Sequence, residues 1–129
     1  MKKILIITFI CMSLSGCQAV LLSALGVGAS TGVSHSLNGI TYRTFTEPLP
    51  RVKTASMIAL ARMDINISSS GLVEGVEEIR ALAGDREIEI EFEPVSAETT
   101  RMRVVAKKGA FVYDSATAVE IIIQTEKYL

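Results

Sequence analysis

From Arg86 to Glu93 the chain alternates without a break, with Ile88, Ile90 and Phe92 on one side and Glu87, Glu89, Glu91 and Glu93 on the other. A period of two predicts a strand with one buried face. Ile40 to Glu47 also alternates, with Ile40, Tyr42 and Thr44 against Thr41, Arg43 and Phe45, and Pro48 and Pro50 end it. Pro50 suits the first turn of a helix, where its missing N–H is no loss. Val52, Ala55, Ala59 and Met63, with Ile58 beside them, then form the stripe of a helix from about Pro50 to Met63. Ile65 and Ile67 mark a strand over Asp64 to Ser68, and Ser68 to Gly71 reads as a turn. Near the end, Asp114 or Ser115 can cap a second helix whose buried face is Ala118, Ile121, Ile122, Thr125 and Leu129.

Four glutamates on one face of a strand repel one another, so their neighbours must compensate. Gly84-Asp85 suits a two-residue hairpin. It would set Arg80 opposite Glu89, Glu78 opposite Glu91, and Ala81 and Ile79 opposite Ile88 and Ile90. On the other side, a loop over Pro94 to Glu98 would set Glu93 opposite Thr99, Glu91 opposite Arg101 and Glu89 opposite Arg103. It would also set Ile90 opposite Met102 and Ile88 opposite Val104. One register then yields an apolar face and a charge ladder of Glu89, Glu91, Arg80, Arg101 and Arg103, and a one-residue slip would bury the glutamates. A calcium or cationic-partner site is the rival reading of the glutamate row. The ladder is preferred, because calcium needs clustered oxygen ligands on a turning backbone. Lys107-Lys108-Gly109 closes this meander. The predicted fold is α+β, a two-layer sandwich in the order β-α-β-β-β-β-α. Its antiparallel sheet of about five strands carries two helices on one face.

Composition divides the chain before that domain begins. Of 129 residues, 49% are hydrophobic and the mean hydropathy is +0.39, yet residues 1–39 hold only two charges, Lys2 and Lys3. The 90 residues from Ile40 carry 11 basic and 14 acidic groups, as an ordinary soluble domain does. With no basic excess, nucleic acid is not an expected partner. Lys2-Lys3 followed by the apolar run Ile4 to Met12 has the form of a secretory signal. Leu14-Ser15-Gly16-Cys17 then resembles the lipobox of bacterial lipoproteins. That resemblance implies cleavage between Gly16 and Cys17 and attachment of a diacylglyceryl group, with an N-acyl chain, to Cys17. Cys11 would leave with the peptide and no thiol would remain for a disulfide. Gln18 stands where an Asp would signal inner-membrane retention, so the resemblance points to the outer membrane, facing the periplasm.

Residues 17–39 are expected to tether residues 40–129 to the membrane. Ala24, Gly28 and Gly32 have the small-xxx-small spacing of helices that pair in a membrane, but the crowding of Gly, Ser and Thr favours a flexible tether. Gly26-x-Gly28-x-x-x-Gly32 is one residue too long for a dinucleotide fingerprint. His35, the single histidine, has no evident metal or triad partners and is read as a linker residue.

The whole chain looks like a family of small bacterial lipoproteins known as a domain of unknown function. The resemblance rests on the box at Cys17, the glycine-rich stretch, Thr41-Tyr42-Arg43, Val52-x-x-Ala55-x-x-x-Ala59-Leu60, and Gly109-x-Phe111-x-x-Asp114. The chain departs from the family at Tyr113-Asp114, where members tend to have Gly-Asp. The family implies location and fold but no catalytic residue, metal or cofactor beyond the lipid. The expectation is a non-catalytic envelope module that binds membrane lipid through Cys17 and an envelope protein partner. A hydrolase acting on envelope substrates is an alternative, to be recognised by an unpaired buried carboxylate in a cleft. A membrane-active glycine-rich segment capped by the domain is another.

Overall fold

The computed structural model describes residues 35–129, with side chains from Asn38 onward. Gly16, Cys17 and the glycine-rich run to Val33 lie outside the described residues. In chain order the elements are β1 (His35–Leu37), β2 (Ile40–Phe45), α1 (Leu49–Arg62), β3 (Asn66–Val73), β4 (Val76–Ala83), β5 (Arg86–Ser96), β6 (Thr99–Lys108), β7 (Val112–Tyr113) and α2 (Ser115–Glu126). The seven strands form one sheet in the order β1-β2-β6-β5-β4-β3, with β7 also on β6. Every pairing is antiparallel. The predicted α+β order is present from β2 to α2. The short strands β1 and β7 add to it, and His35, expected in a linker, opens β1.

Two-residue turns explain the additions. Asn38 and Gly39 both have positive φ, 52° and 80°, as the type I′ turn between β1 and β2 requires. Glu74 and Gly75, at 52° and 84°, do the same between β3 and β4. Ser68 to Gly71, expected to be a turn, is therefore the middle of β3. This edge strand is solvent-exposed along nearly its whole length. It has no apolar alternation to reveal it, and its serines imitate a loop.

Both helices cover the same face of the sheet. The core is Ile79 and Ala81 of β4, Ile88, Ile90 and Phe92 of β5, Met102, Val104 and Ala106 of β6, Phe45 of β2, and the buried stripes of the helices. α2 buries Ala118, Ile121, Ile122 and Thr125 as predicted, with Leu129 partly buried. α1 buries Val52, Ala55 and Ala59 of its expected stripe, with Met63 against the core, and its buried face widens on the side away from Ile58. Ser56 and Leu60 are fully buried while Ile58 is 39% exposed. The cause is that α1 packs on α2 as well as on the sheet. Ser56 faces Thr125, whose hydroxyl lies 3.4 Å away, and donates to its own turn at the Val52 carbonyl, 2.9 Å away.

The hairpin at Gly84-Asp85 has the predicted register, with Arg80 opposite Glu89, Ile79 opposite Ile90 and Glu78 opposite Glu91. The β5–β6 hairpin does not. β5 continues through Pro94 to Ser96, a bulge falls between Pro94 and Ser96, and the turn is Ala97-Glu98. Glu93 consequently faces Arg101, Glu91 faces Arg103, Ile90 faces Val104 and Ile88 faces Ala106. The shift is two residues, so every side chain keeps its face and only its partner changes. Pro94 is tolerated because β4 pairing ends before it, leaving that flank of β5 open.

Asp114 caps α2. Its carboxylate accepts the Thr117 backbone N–H at 3.0 Å and the Thr117 hydroxyl at 2.7 Å, and pairs with Arg86 of β5. The Thr117 backbone and side-chain hydrogen bonds, then Arg86, lower its pKa from 3.8 to about 2. Because the folded value lies below the unfolded one, the stabilisation is complete above about pH 4 and is lost as pH falls toward 2. Asp114→Ala is expected to cost about 1 kcal/mol at neutral pH. In denaturant titrations that deficit should shrink through the same acid window. A deficit constant with pH would refute the assignment.

Candidate functional site

Among the described residues no helix covers the other face of the sheet, and the long alternating strands deliver their polar side chains to it. Three rows of residues cross the central strands. Tyr42, Arg103, Glu91, Glu78 and Gly71 form one row. Ile40, Val105, Glu89, Arg80 and Ser69 form the next. Thr44, Arg101 and Glu93 continue on the far side of the first.

All five predicted ladder residues lie on this face; Arg80 stands opposite Glu89 as expected, and the shift changes the partners of Arg101 and Arg103. Arg101, expected opposite Glu91, instead holds Glu93, with Nε 2.9 Å from the carboxylate. Arg103 reaches both Glu89 and Glu91, each at 3.1 Å. Arg80 pairs with Glu78 and approaches Glu89 at 4.0 Å. The Glu78 hydrogen bond and charge push the Arg80 guanidinium above its usual pKa. For Arg103, burial pulls downward but is outweighed by Glu89, Glu91 and the Tyr42 side chain, so its pKa is also raised. Both arginines therefore remain cationic across the physiological range.

Glu78 is the residue whose burial the sequence did not signal. It is 6% exposed, on the face without helices. Its carboxylate lies with those of Glu89 and Glu91, all within 4.8 Å of one another. Two guanidiniums are laced through the three acids, so a cation there would compete with Arg80 for Glu78 and with Arg103 for Glu89 and Glu91. Glu78 is also a buried carboxylate of the kind a hydrolase would use, but Arg80 holds it.

Beside the ladder the face is hollow. A groove of about 300 Å³ runs over Ile40, Val105, Leu82 and Tyr113, with Arg80, Arg103, Lys107, Glu87 and Glu89 among its walls. Val105 is 5% exposed and forms an apolar floor. Tyr113 closes one end, with the Lys107 ammonium 5.3 Å from its ring centre. The turn glycine Gly39 leaves room for that ring, since a Cβ there would lie 2.3 Å from it. The sequence offered one signal for this arrangement, the Asn38-Gly39 pair that marks a type I′ hairpin. Tyr113 carried none, because β7 is two residues long.

On the helix side, the buried Arg43 pairs with Glu126 of α2 and lies 5.4 Å from the Phe45 ring centre. Its Nε and the Thr41 hydroxyl have no hydrogen-bond partner among the described residues.

These features define a two-layer α+β domain with one sheet face sealed by helices and the other left open around a charged, partly apolar groove. The chain belongs to the family described as "Protein of unknown function (DUF3568)", whose model matches residues 1–124. That match takes in the N-terminal segment as well as the sheet. No curated protein matches the chain. Among the described residues no helix is long and apolar enough to cross a membrane.

The pairing across β5 and β6 can be tested by double-mutant cycles with Glu91→Gln. Combined with Arg103→Gln, the two changes should couple by about 0.5–1 kcal/mol. Combined with Arg101→Gln, they should simply add. Coupling to Arg101 in place of Arg103 would contradict the register.

Proposed function

We propose that this chain is a lipid-anchored, non-catalytic binding module of the bacterial cell envelope. Cys17 is the attachment point, cleaved free after Gly16, and carries a diacylglyceryl group with an added N-acyl chain. Two or more acyl chains give the stable membrane retention that a single chain does not. Gln18 supports residence in the outer membrane, with the domain facing the periplasm. The observation that carries the binding role is the open sheet face, where a groove with an apolar floor is left uncovered beside a ladder whose charges are mutually paired. A paired ladder fixes the wall geometry without demanding a charged ligand, while Val105, Ile40, Leu82 and Tyr113 provide surface for apolar contact. An envelope protein partner presenting an amphipathic segment fits that combination.

Cys17→Ser should abolish fatty-acid labelling and release the protein from the membrane fraction. Retention with unchanged labelling would defeat the anchor. For the groove, a photo-crosslinking residue at Leu82 should capture a defined envelope protein, and one at Ile123 on the exposed side of α2 should not. Equal capture from both positions would remove the groove from the proposal.

A further inference from the structure

Phe111 is 92% exposed, the most exposed of the large hydrophobic residues in the fold. It leads a run with Val112, 59% exposed, and Tyr113, 46% exposed, at the tip of the β6–β7 connection. Single exposed apolar residues need no explanation, but three in succession at a loop tip mark a contact surface. The connection is held firmly from below. Lys107 and Lys108 pair with Tyr113 and Val112, Tyr113 packs against the Asn38-Gly39 turn, and Asp114 is fixed by Arg86 and Thr117. Phe111 is therefore presented outward from a braced base.

We propose that this tip, led by Phe111, inserts into the interfacial region of the membrane that holds the chain. The proposal rests on the membrane-anchored reading for its setting. Geometry supports it in two ways. The stretch from Cys17 to Ser34 is 18 residues, able to span roughly 60 Å when extended. That exceeds the length of β6, ten residues or about 33 Å, so the tether lets either end of the domain meet the bilayer. The chain enters the fold at His35, which lies level with Arg103 through Tyr42, so the tip is about 20 Å further along β6 and within that reach.

The charges beside the tip balance. Lys108 pairs with Asp85, Arg86 contacts Asp85 and Asp114, and Lys107 stands opposite Glu87. Attraction to anionic headgroups is thus not the driving term. Burial of the Phe111 ring is, with Val112 following it to a depth of about 5–10 Å at the headgroup–acyl boundary, while Tyr113 stays on the Gly39 turn. Insertion is accordingly expected in purely zwitterionic lipid, and it would fix which end of the domain faces the bilayer.

The chain contains no Trp, so Phe111→Trp supplies a sole fluorescent reporter. The test uses the chain from Cys17, which holds the whole described sheet and both helices. Its thiol is coupled to maleimide-headgroup lipid in phosphatidylcholine vesicles, some with brominated acyl chains. Emission from Phe111→Trp should shift to shorter wavelength and be quenched several-fold more by bromine than that from Ile123→Trp on α2. A water-exposed, unquenched reporter at position 111 overturns the proposal, as it would if the tip served a protein partner instead. A shift that grows with protein concentration without vesicles overturns it in favour of self-association. The chemical coupling supplies the anchor, so the result stands apart from whether Cys17 is lipidated in the cell, which the labelling experiment decides.

Discussion

Ile79, Ile88, Ile90, Phe92, Met102 and Val104 project from one face of three adjacent strands, each less than 3% exposed once the two helices are in place. Burial of a side chain of this size contributes roughly 1.5–3 kcal/mol. An exposed ion pair on the opposite face contributes about 0.2–1 kcal/mol. The apolar face therefore decides which side of each strand turns inward, and the charged residues take what remains. α1 and α2 meet this demand together. Ala55, Ser56 and Ala59 let α1 approach closely, and Thr125 and Ile121 of α2 occupy the adjoining space. Because both helices are committed to one face, no other element among the described residues covers the opposite one.

The same ordering of energies explains what the sequence disclosed. A period of two distinguishes the faces of a strand, so the buried positions of β4, β5 and β6 could be read directly. It does not distinguish registers that differ by two residues. For β4 and β5 the turn residues Gly84-Asp85 removed that ambiguity. For β5 and β6, Pro94 imitated a loop, whereas a bulge and the open flank allowed the strand to run on to Ser96. Arg101 was thus placed on the correct face with the wrong partner, while Arg103, now opposite Glu91, still reaches its expected Glu89 diagonally. β3 was shortened for a related reason. It is an edge exposed on both sides, so its sequence answers to no apolar face and reads as a turn.

Of the candidate site, the ladder was legible and the groove was not. Glu89, Glu91, Arg80, Arg101 and Arg103 were visible because alternation places them on one face. The groove depends on Ile40, whose alternating strand does not say which face turns inward, and on Tyr113, whose two-residue strand shows no period. In β2 both faces mix apolar and polar residues, and the side holding Thr41 and Arg43 is the one that faces the helices. Tertiary contact with Phe45 and Glu126 settles that choice for Arg43, and local pattern contains no trace of it.

The position of the groove follows from a single interruption in β6. From Arg101 onward its outward side chains are Arg101, Arg103, Val105 and Lys107, three cations and one valine. Arg103 spends its guanidinium on Glu91 opposite it and on Glu89 of the neighbouring row, while Lys107 turns to the Tyr113 ring on β7. Val105 lies between them and has no head group to fill the space above it. A long cation at that position would extend the ladder, reach Glu89 and close the hollow. The ladder and the groove are thus one device. The paired charges hold the walls in register, and the one residue that cannot join them leaves an apolar floor open.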